Sequence, residues 1–260
     1  MRPLRIAAAV AGGYLLCGVS AYAAQLVPID SCYQQIHQHE IGVLTQNLDC
    51  TNAGGSGPDI SLEAGAKLQL GGYTITGGTI GIGVDAGKHK TVITGPGAIT
   101  GQVGSGPVEG CGLATGTSTI VENVEIYGSW CGIVASYTPP LKLKSVNVHD
   151  CDADGITYAI PVDKGKIKMT ESVVENNGGY GVDAYTRLTM KAVQVLDNTT
   201  GGAQAGTILI ARSSTLTGNG PGGDVAAALR VKVTNTTCDH SLVTAPGKND
   251  SFHVCALDTP

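Results

Sequence analysis

Four side chains that could carry acid–base chemistry lie within one short segment of this chain. Tyr180, Asp183, Tyr185 and Arg187 supply two phenols, a carboxylate and a guanidinium. In an extended strand, side chains two residues apart return to the same side, so Asp183 and Tyr185 share a face and Arg187 joins them unless the strand bends. A phenol and a carboxylate beside a cation can move a proton on an anionic substrate. The alternative interpretation is one copy of a structural repeat with an ordinary exposed acid and ring.

Basic residues at matching points of successive strands form a second set of candidates. They are Lys142, Lys144, Lys166, Lys168, Arg187, Lys191, Arg230 and Lys232. They alternate with apolar residues, which predicts that the cations face outward as a stripe. Proton removal from a substrate that already carries a carboxylate builds further negative charge, which such cations would stabilise. We therefore take Arg187, Lys166, Lys168, Lys191 and Lys142 as substrate-binding candidates, with a solvated face that keeps the sheet soluble as the alternative.

The segment Asp150-Cys151-Asp152-Ala153-Asp154-Gly155 resembles the start of a calcium loop. The twelfth position of such a loop is Pro161 rather than Glu, which excludes an EF-hand. Three carboxylates at one turn, Asp150, Asp152 and Asp154, remain candidate ligands of a Ca²⁺ ion. A solvated turn rich in Asp is the alternative interpretation.

The elements that position these candidates repeat themselves. Three triplets, Cys131-Gly-Ile, Asp154-Gly-Ile and Tyr180-Gly-Val, are each followed by an alternating strand and then by a polar turn. A period of roughly 20 to 26 residues with period-2 strands inside it is typical of a β-solenoid. We predict about seven coils, each burying its apolar row against its neighbours.

The alternation also predicts which side chains face the core. Ile133, Ile156 and Val182 should point inward as one row. The next residues, Val134, Thr157 and Asp183, should then point outward in one column, with Ser136, Ala159 and Tyr185 in a second column.

The chain ends differ from the repeats. Residues 1–23 contain Arg2 and Arg5, then an apolar run, then a small-x-small site at Ala21-Tyr22-Ala23, a pattern typical of a signal peptide. The run is short for a bilayer span, so we expect a secreted or periplasmic protein without membrane insertion. Residues 24–58 are predicted as an N-terminal cap, 59–237 as the solenoid and 238–260 as a C-terminal cap.

Seven cysteines follow the predicted signal peptide. We expect the bonds Cys32–Cys50 and Cys238–Cys255 to staple the two caps in an oxidising compartment. Cys111, Cys131 and Cys151 lie about one coil apart, so two of them can bond between coils and one stays free. A catalytic thiol and a buried thiol are both open interpretations of the free one, and nothing nearby in sequence would activate it.

The composition excludes one class of partner. The formal net charge is −5, and charged residues make up 14% of the chain. A protein that binds nucleic acid usually shows a basic excess, so nucleic acid is not predicted as a partner.

The repeat resembles a known family. Gly-Ile, then alternating Val and Ile, then Asn-Asn-Gly is similar to the coil of pectate-lyase-like proteins over about residues 60–235. The resemblance implies an all-β fold, a single-stranded right-handed parallel β-helix with disulfide-stapled caps. That fold hosts lyases, hydrolases, epimerases and non-catalytic surface proteins.

One motif resembles a narrower family. Tyr180, Gly181 and Asp183 match the Tyr-Gly-x-Asp-Pro-His motif of mannuronan C5-epimerases, with Ala184 and Tyr185 in place of its proline and histidine. The resemblance implies Asp183, Tyr185 and Tyr180 as catalytic candidates. The motifs of polygalacturonases are absent, which favours proton abstraction over hydrolysis by paired carboxylates.

The sequence thus predicts an exported, carbohydrate-active β-helix. Its function would be that of a lyase or C5-epimerase acting on an acidic, uronic-acid polysaccharide by C5 proton abstraction. The alternative is a non-catalytic β-helix that binds cell-surface glycan or serves as a structural module. We expect a monomer, with Ca²⁺ as the cofactor candidate.

Overall fold

The computed structural model describes residues 24–53, 57–104, 109–135, 140–159, 165–243 and 255. The described chain forms 29 short β-strands in three parallel sheets, here called A, B and C. From Glu40 onward, the chain visits the sheets in the order A, C, B and repeats. This confirms the predicted right-handed parallel β-helix. The predicted signal peptide, residues 1–23, lies outside the described residues.

Sheet A has ten strands that stack along the solenoid axis. They are β1 (Gln25–Ile29), β3 (Glu40–Leu44), β6 (Lys67–Gln69), β9 (Thr91–Thr94), β12 (Thr119–Glu122), β15 (Leu141–Lys144), β18 (Lys166–Thr170), β21 (Arg187–Lys191), β24 (Ile208–Arg212) and β27 (Arg230–Thr234).

Sheet C has nine strands, most of them three residues long. They are β4 (Leu48–Asp49), β7 (Thr74–Thr76), β10 (Ala98–Thr100), β13 (Glu125–Tyr127), β16 (Asn147–His149), β19 (Val173–Glu175), β22 (Gln194–Leu196), β25 (Thr215–Thr217) and β28 (Thr237–Cys238).

Sheet B has ten strands and closes each coil. They are β2 (Gln34–Ile36), β5 (Pro58–Leu62), β8 (Ile80–Val84), β11 (Cys111–Thr115), β14 (Cys131–Ala135), β17 (Ile156–Tyr158), β20 (Tyr180–Ala184), β23 (Gly201–Ala205), β26 (Val225–Ala227) and β29 (Ser241–Val243).

The core lies between the three sheets and consists of stacked aliphatic rows. Ile133 pairs with Ile156, and Ile156 pairs with Val182, on adjacent strands of sheet B. All three side chains are fully buried. The predicted inward row is therefore confirmed, and each coil buries its apolar side chains against the coils above and below it.

The predicted number of coils, about seven, is low, because the sheets hold nine or ten strands each. The additional strands lie near the ends. Strands β1 to β4 fall within residues 25–49, and β28 and β29 lie beyond residue 236. In these end segments the sheet B strands, β2 and β29, lack the Gly-Ile or Gly-Val triplet that marks the three central repeats, so the sequence did not reveal the coils there.

Two corners of the coil use residues in the left-handed backbone region. One residue after a sheet A strand, Asn123, Ser145, Glu171, Ala192, Ser213 and Asn235 all have φ between 48° and 58°. One residue after a sheet C strand, Asp150, Asn176 and Asp197 have φ between 53° and 55°. Asn and Asp tolerate this region better than most residues, which explains the polar turns that end each repeat.

A ladder of buried amides runs inside the corner between sheets C and B. Asn177 Nδ2 donates to Asn198 Oδ1 at 2.8 Å, and Asn198 Nδ2 donates to Asn219 Oδ1 at 3.0 Å. Asn219 Nδ2 donates to Asp224 Oδ1 at 2.7 Å. Asp224 Oδ2 in turn accepts the backbone N–H groups of Asp239 and His240. The ladder thus ties four successive coils together through hydrogen bonds.

The predicted disulfides are confirmed. Cys32 bonds to Cys50, and Cys238 bonds to Cys255. Cys111 bonds to Cys131 between paired positions of β11 and β14. Within the described part of the chain the free thiol is Cys151, which is buried, and burial raises its pKa to about 12.

The first predicted outward column, which begins at Val134, is not solvated along its whole length. Val134 does lie on the outer side of sheet B, but it is fully buried and packs against the Cys111–Cys131 pair. Ser136 lies outside the described residues. No helix among the described residues is long and apolar enough to cross a membrane.

Candidate functional site

Asp183 and Tyr185 lie together at a cleft on the outer face of sheet B. The cleft has a volume of about 360 Å³. Its lining residues come from the last coils of sheet B and the turns that follow them. They are Asp183, Tyr185, Gln204, Ala205, Gly206, Ala226, Ala227, Ala228 and Leu242. We call this the sheet B cleft.

The pKa of Asp183, in the cleft, is raised. The side chain is partly buried, and the removal of water raises its pKa above the ordinary value of a carboxyl. The Gln204 amide, at the paired position of the next strand, partly offsets this effect, and the charge of Asp154 adds to it. A carboxyl of this kind exchanges protons closer to neutral pH than an exposed Asp does.

Tyr180 lies on the same strand as Asp183, but its ring does not line the cleft. A Cβ atom on Gly201 would lie 2.6 Å from Cε1 of Tyr180, and one on Gly222 would lie 2.8 Å from its hydroxyl oxygen. The ring therefore covers two glycines of the following coils. Its backbone N–H donates to Asp154 Oδ1 at 2.8 Å. The contacts of the Tyr180 ring with Gly201 and Gly222 give this side chain a packing role.

Arg187 does not join Asp183 and Tyr185. Strand β20 ends at Ala184, the chain turns at Tyr185 and Thr186, and Arg187 opens β21 of sheet A. The N–H groups of Thr186 and Arg187 both donate to the Gly165 carbonyl at 3.2 Å, which fixes this turn. The strand bends where the alternation argument required it to stay straight.

The predicted cations do form a common surface, on the outer side of sheet A. Lys142 pairs with Lys168, Lys166 pairs with Arg187, and Lys191 pairs with Arg212 across adjacent strands. The members of this surface are all exposed residues on β15, β18, β21, β24 and β27. They are Lys142, Lys144, Lys166, Lys168, Arg187, Lys191, Arg212, Arg230 and Lys232. We call it the cationic face.

The cationic face has no acidic member on its five strands. The salt bridges formed among the described residues involve histidines and not these Lys and Arg side chains. Beside this face, Glu122 of β12 is exposed and pairs with Lys144 on the same sheet. The other cations have no acid at a paired position of the described strands. The sequence argument missed Arg212, although the alternation from Ile208 to Arg212 in β24 carries the same signal.

The three carboxylates of the predicted calcium loop do not converge. Asp150 Oδ2 lies 2.8 Å from Nδ1 of His149, and Asp154 Oδ1 accepts the N–H of Tyr180. Among the described residues, no group of three His, Cys, Asp or Glu side chains could hold a metal ion. Asp150, Asp152 and Asp154 therefore do not fit a Ca²⁺ ion in this arrangement.

A histidine on the outer face of sheet C is held by two carboxylates. His149 Nδ1 lies 2.8 Å from Asp150 Oδ2, and its Nε2 lies 3.1 Å from Glu125 Oε1. Its ring stacks on Tyr127 with 5.2 Å between centroids. Burial lowers the pKa of His149, but the two carboxylates outweigh burial and raise it above its ordinary value.

Comparisons with known proteins agree with this architecture. A family model described as the right-handed beta helix region matches residues 31–200. No curated protein matches the chain. Among solved structures, the chain is similar to the Dettilon tailspike protein, with a TM-score of 0.55 at 9% sequence identity. The match covers 89% of this chain but 60% of that tailspike chain, and at this identity it shows the fold alone.

Proposed function

We propose that this chain binds an acidic polysaccharide along the cationic face of sheet A. The chain belongs to the right-handed β-helix family. The observation that carries this proposal is the set of exposed Lys and Arg side chains without an acidic neighbour on the same strands. A surface of one charge sign attracts a partner of the opposite sign and raises its local concentration.

The spacing of the charges favours a linear polymer. Each of the five strands carries at least one of these cations, although cations occupy directly paired positions on only two strands in a row. Adjacent parallel strands lie about 4.8 Å apart, so the face is about 19 Å long. A chain of acidic sugars also carries its charges at regular intervals. An extended polymer along the solenoid axis would therefore meet a cation at each coil.

A polysaccharide fits this surface better than a nucleic acid. Proteins that bind single-stranded nucleic acid stack bases on aromatic side chains, and the five strands of the cationic face contain no Phe, Tyr or Trp. The chain as a whole has a net charge of −5, whereas nucleic-acid-binding domains are typically basic.

A pair of matched variants tests the binding proposal. Lys168→Ser with Arg187→Ser removes two charges from the cationic face, and Lys88→Ser with Lys90→Ser removes two exposed charges from the loop before β9. Because an exposed ion pair contributes up to about 1 kcal/mol, the first variant should weaken binding of alginate or polygalacturonate about tenfold at low salt. Equal affinities of the two variants, or equal binding of neutral dextran, would contradict the proposal.

The second candidate function is a lyase or C5-epimerase reaction at the sheet B cleft. It is favoured by the raised pKa of Asp183 and by the exposed phenol of Tyr185 in the same cleft. In this candidate Asp183 and Tyr185 move the C5 proton of a uronate. The sugar carboxylate would have to reach a cation from the neighbouring sheet, since the residues that the structure describes in the cleft lining include no Lys or Arg.

Activity measurements separate the two candidates. The protein would be incubated with alginate and pectate, with ultraviolet absorbance reporting unsaturated lyase products and proton NMR reporting epimerisation. If the cleft is catalytic, Asp183→Asn should lower the activity about a hundredfold or more, while Asp85→Asn on an exposed loop should leave it unchanged. Absence of turnover in the wild-type protein would leave binding at the cationic face as the function.

We further propose that the protein acts as an exported monomer. Three disulfides support export, because such bonds persist in oxidising compartments. Cell fractionation with an antibody against the solenoid would test the compartment, and light scattering during gel filtration would test the oligomeric state. Recovery of the protein in the cytoplasm with reduced thiols would contradict export.

A further inference from the structure

The outer face of sheet B carries a row of four side chains that changes character along its length. Asp183, Gln204, Ala226 and Leu242 pair in register across β20, β23, β26 and β29. With about 4.8 Å between strands, the row is about 14 Å long. Its first half offers a carboxyl and an amide, and its second half offers a methyl and an isobutyl group.

The walls and floor of the sheet B cleft match this division. Tyr185 is 40% exposed and Leu242 is 49% exposed, so the sheet B cleft presents an aromatic ring and a branched apolar side chain to a ligand. Ala226 is buried in the outward row and contributes a methyl group to the floor. Ala205 and Ala227 belong to the hydrophobic core behind it and add no polar side chain. The volume of about 360 Å³ lies at the lower end of the range for small-molecule sites, about 300 to 1,000 Å³.

The charge of the cleft separates it from the cationic face. Among the described residues, its lining contains the Asp183 carboxyl and no Lys or Arg. A uronate placed there would bring a second carboxylate beside Asp183 in a partly desolvated site, where repulsion between like charges is strong. The cleft therefore disfavours an acidic sugar unit and favours a neutral one.

The polar half of the row fits the hydroxyl groups of a sugar. The Asp183 carboxyl accepts hydrogen bonds, and the Gln204 amide both donates and accepts them. Because these residues are neighbours across two strands, they can bind two adjacent hydroxyls of one ring. The exposed Tyr185 ring offers an apolar face on which a sugar ring can stack.

The apolar half of the row cannot satisfy a further hydroxyl group. A sugar hydroxyl above Ala226 and Leu242 would lose its hydrogen bonds to water without replacement. A methyl group there would be removed from water, which is favourable. We propose that the sheet B cleft binds a neutral sugar unit that carries an acetyl group, with its hydroxyls at Asp183 and Gln204 and its acetyl methyl at Ala226 and Leu242.

Titration of the purified protein with three disaccharides tests this proposal. The probes are the dimer of N-acetylglucosamine, the glucose dimer cellobiose and a glucuronate dimer, followed by calorimetry or by NMR shifts. We expect the acetylated dimer to bind at least about tenfold more tightly than cellobiose, which lacks the apolar group. The glucuronate dimer should bind more weakly than the acetylated one.

Two variants locate the site. Gln204→Ala should weaken binding of the acetylated dimer about fivefold or more, because two polar hydrogen-bonding groups are lost. Gln194→Ala, an equally drastic change at an exposed position on sheet C, should leave binding unchanged. The thermal midpoints of both variants would show that each is folded.

Several results would overturn the proposal. They are equal or tighter binding of cellobiose or glucuronate, no saturable binding of the acetylated dimer, and unchanged binding in Gln204→Ala. Tight glucuronate binding would instead support the uronate reaction at Asp183. Because no cation of sheet A is altered, failure of this proposal would leave the polysaccharide binding at the cationic face untouched.

Discussion

A Cβ atom on Gly181 would lie 2.7 Å from Nδ2 of Asn198. The same relationship recurs in the neighbouring coils, where a Cβ on Gly155 would lie 2.9 Å from Nδ2 of Asn177. The amide ladder therefore occupies the space that a side chain would need at the glycine of the Asp154-Gly-Ile and Tyr180-Gly-Val triplets. At Gly132, in the Cys131-Gly-Ile triplet, Val148 Cγ1 and the Gly155 carbonyl oxygen occupy that space instead. A close approach thus requires the glycine at all three triplets.

Replacement of Gly181 by Ala should destabilise the protein. The added methyl would also meet Val195 Cγ1 at 2.7 Å and the Gly202 carbonyl oxygen at 2.9 Å. Two side chains and one backbone group would therefore have to move to make room for it. Overpacking of this kind typically costs about 1 to 3 kcal/mol. The free energy of unfolding in urea would measure the loss.

Gly57→Ala is the matched control for this substitution. A Cβ on Gly57 would meet nothing within 4 Å, and its backbone is not in the left-handed region. We expect a change of less than about 0.5 kcal/mol for this variant. Equal stabilities of Gly57→Ala and Gly181→Ala would show that the close approach is relieved by small movements of the ladder.

Asn198→Ala should have a larger effect than a surface substitution. Asn198 Oδ1 accepts hydrogen bonds from Nδ2 and N of Asn177, and its Nδ2 donates to Asn219 Oδ1. Removal of the amide leaves buried groups on both neighbours without partners, at a cost of about 2 to 4 kcal/mol. Urea unfolding of Gln194→Ala, at an exposed position two strand residues before the same corner, should differ little from wild type. A loss below about 1 kcal/mol in Asn198→Ala would mean that water replaces the amide.

The repeats, the inward rows and the disulfide pairs could be predicted because they follow from local rules. Alternation places Ile133, Ile156 and Val182 on one side. One coil separates Cys111 from Cys131 and also Cys131 from Cys151, so the spacing predicted one bond among these three cysteines but not which two form it. The ladder could not be predicted, because its members, such as Asn198, directly follow a left-handed residue. Whether the side chain after such a residue turns inward depends on the corner geometry and not on polarity.

The candidate site was predicted in part. Asp183 and Tyr185 do meet at one cleft, because both lie near the end of a single strand. Arg187 was expected beside them, but a turn at Thr186 moves it to the next sheet. Gln204 was not foreseen, since it reaches the cleft through pairing between coils, and register between coils of different length cannot be counted along the chain.

The thiol of Cys151 should be unreactive in the folded protein. It is 2% exposed, and burial raises its pKa to about 12, so almost no thiolate is present at neutral pH. For the chain from residue 24 onward, an aromatic disulfide reagent should detect no thiol in buffer. In denaturant without reductant it should detect one thiol, which Cys151→Ser should abolish. Rapid labelling in buffer would show that the corner opens, and more than one thiol in denaturant would contradict the three disulfides.

Asp59 should make the stability of the protein fall as the pH rises. Its side chain is fully buried at the first coils of sheet B, and among the described residues no donor meets hydrogen-bond geometry with either carboxyl oxygen. The nearby Gln102 amide donates to the Gly77 carbonyl and acts on Asp59 only as a neighbouring dipole. Burial raises its pKa to about 7, although the Gln102 amide partly offsets this. In the unfolded chain the carboxyl ionises at about pH 4. Between these values the folded protein holds a proton that the unfolded chain has released.

The contribution of Asp59 to stability is therefore complete below about pH 4, decreases up to about pH 7 and is constant above that. The full decrease is on the order of 4 kcal/mol. In Asp59→Asn this decrease should disappear, so the variant gains stability relative to wild type as the pH rises from 4.5 to about 8, measured by urea unfolding at each pH. Asp85→Asn, at an exposed position, should differ from wild type by less than about 0.5 kcal/mol throughout. Parallel pH profiles of the wild type and Asp59→Asn would show that the buried carboxyl finds a partner, such as a water molecule, that keeps it ionised at no cost.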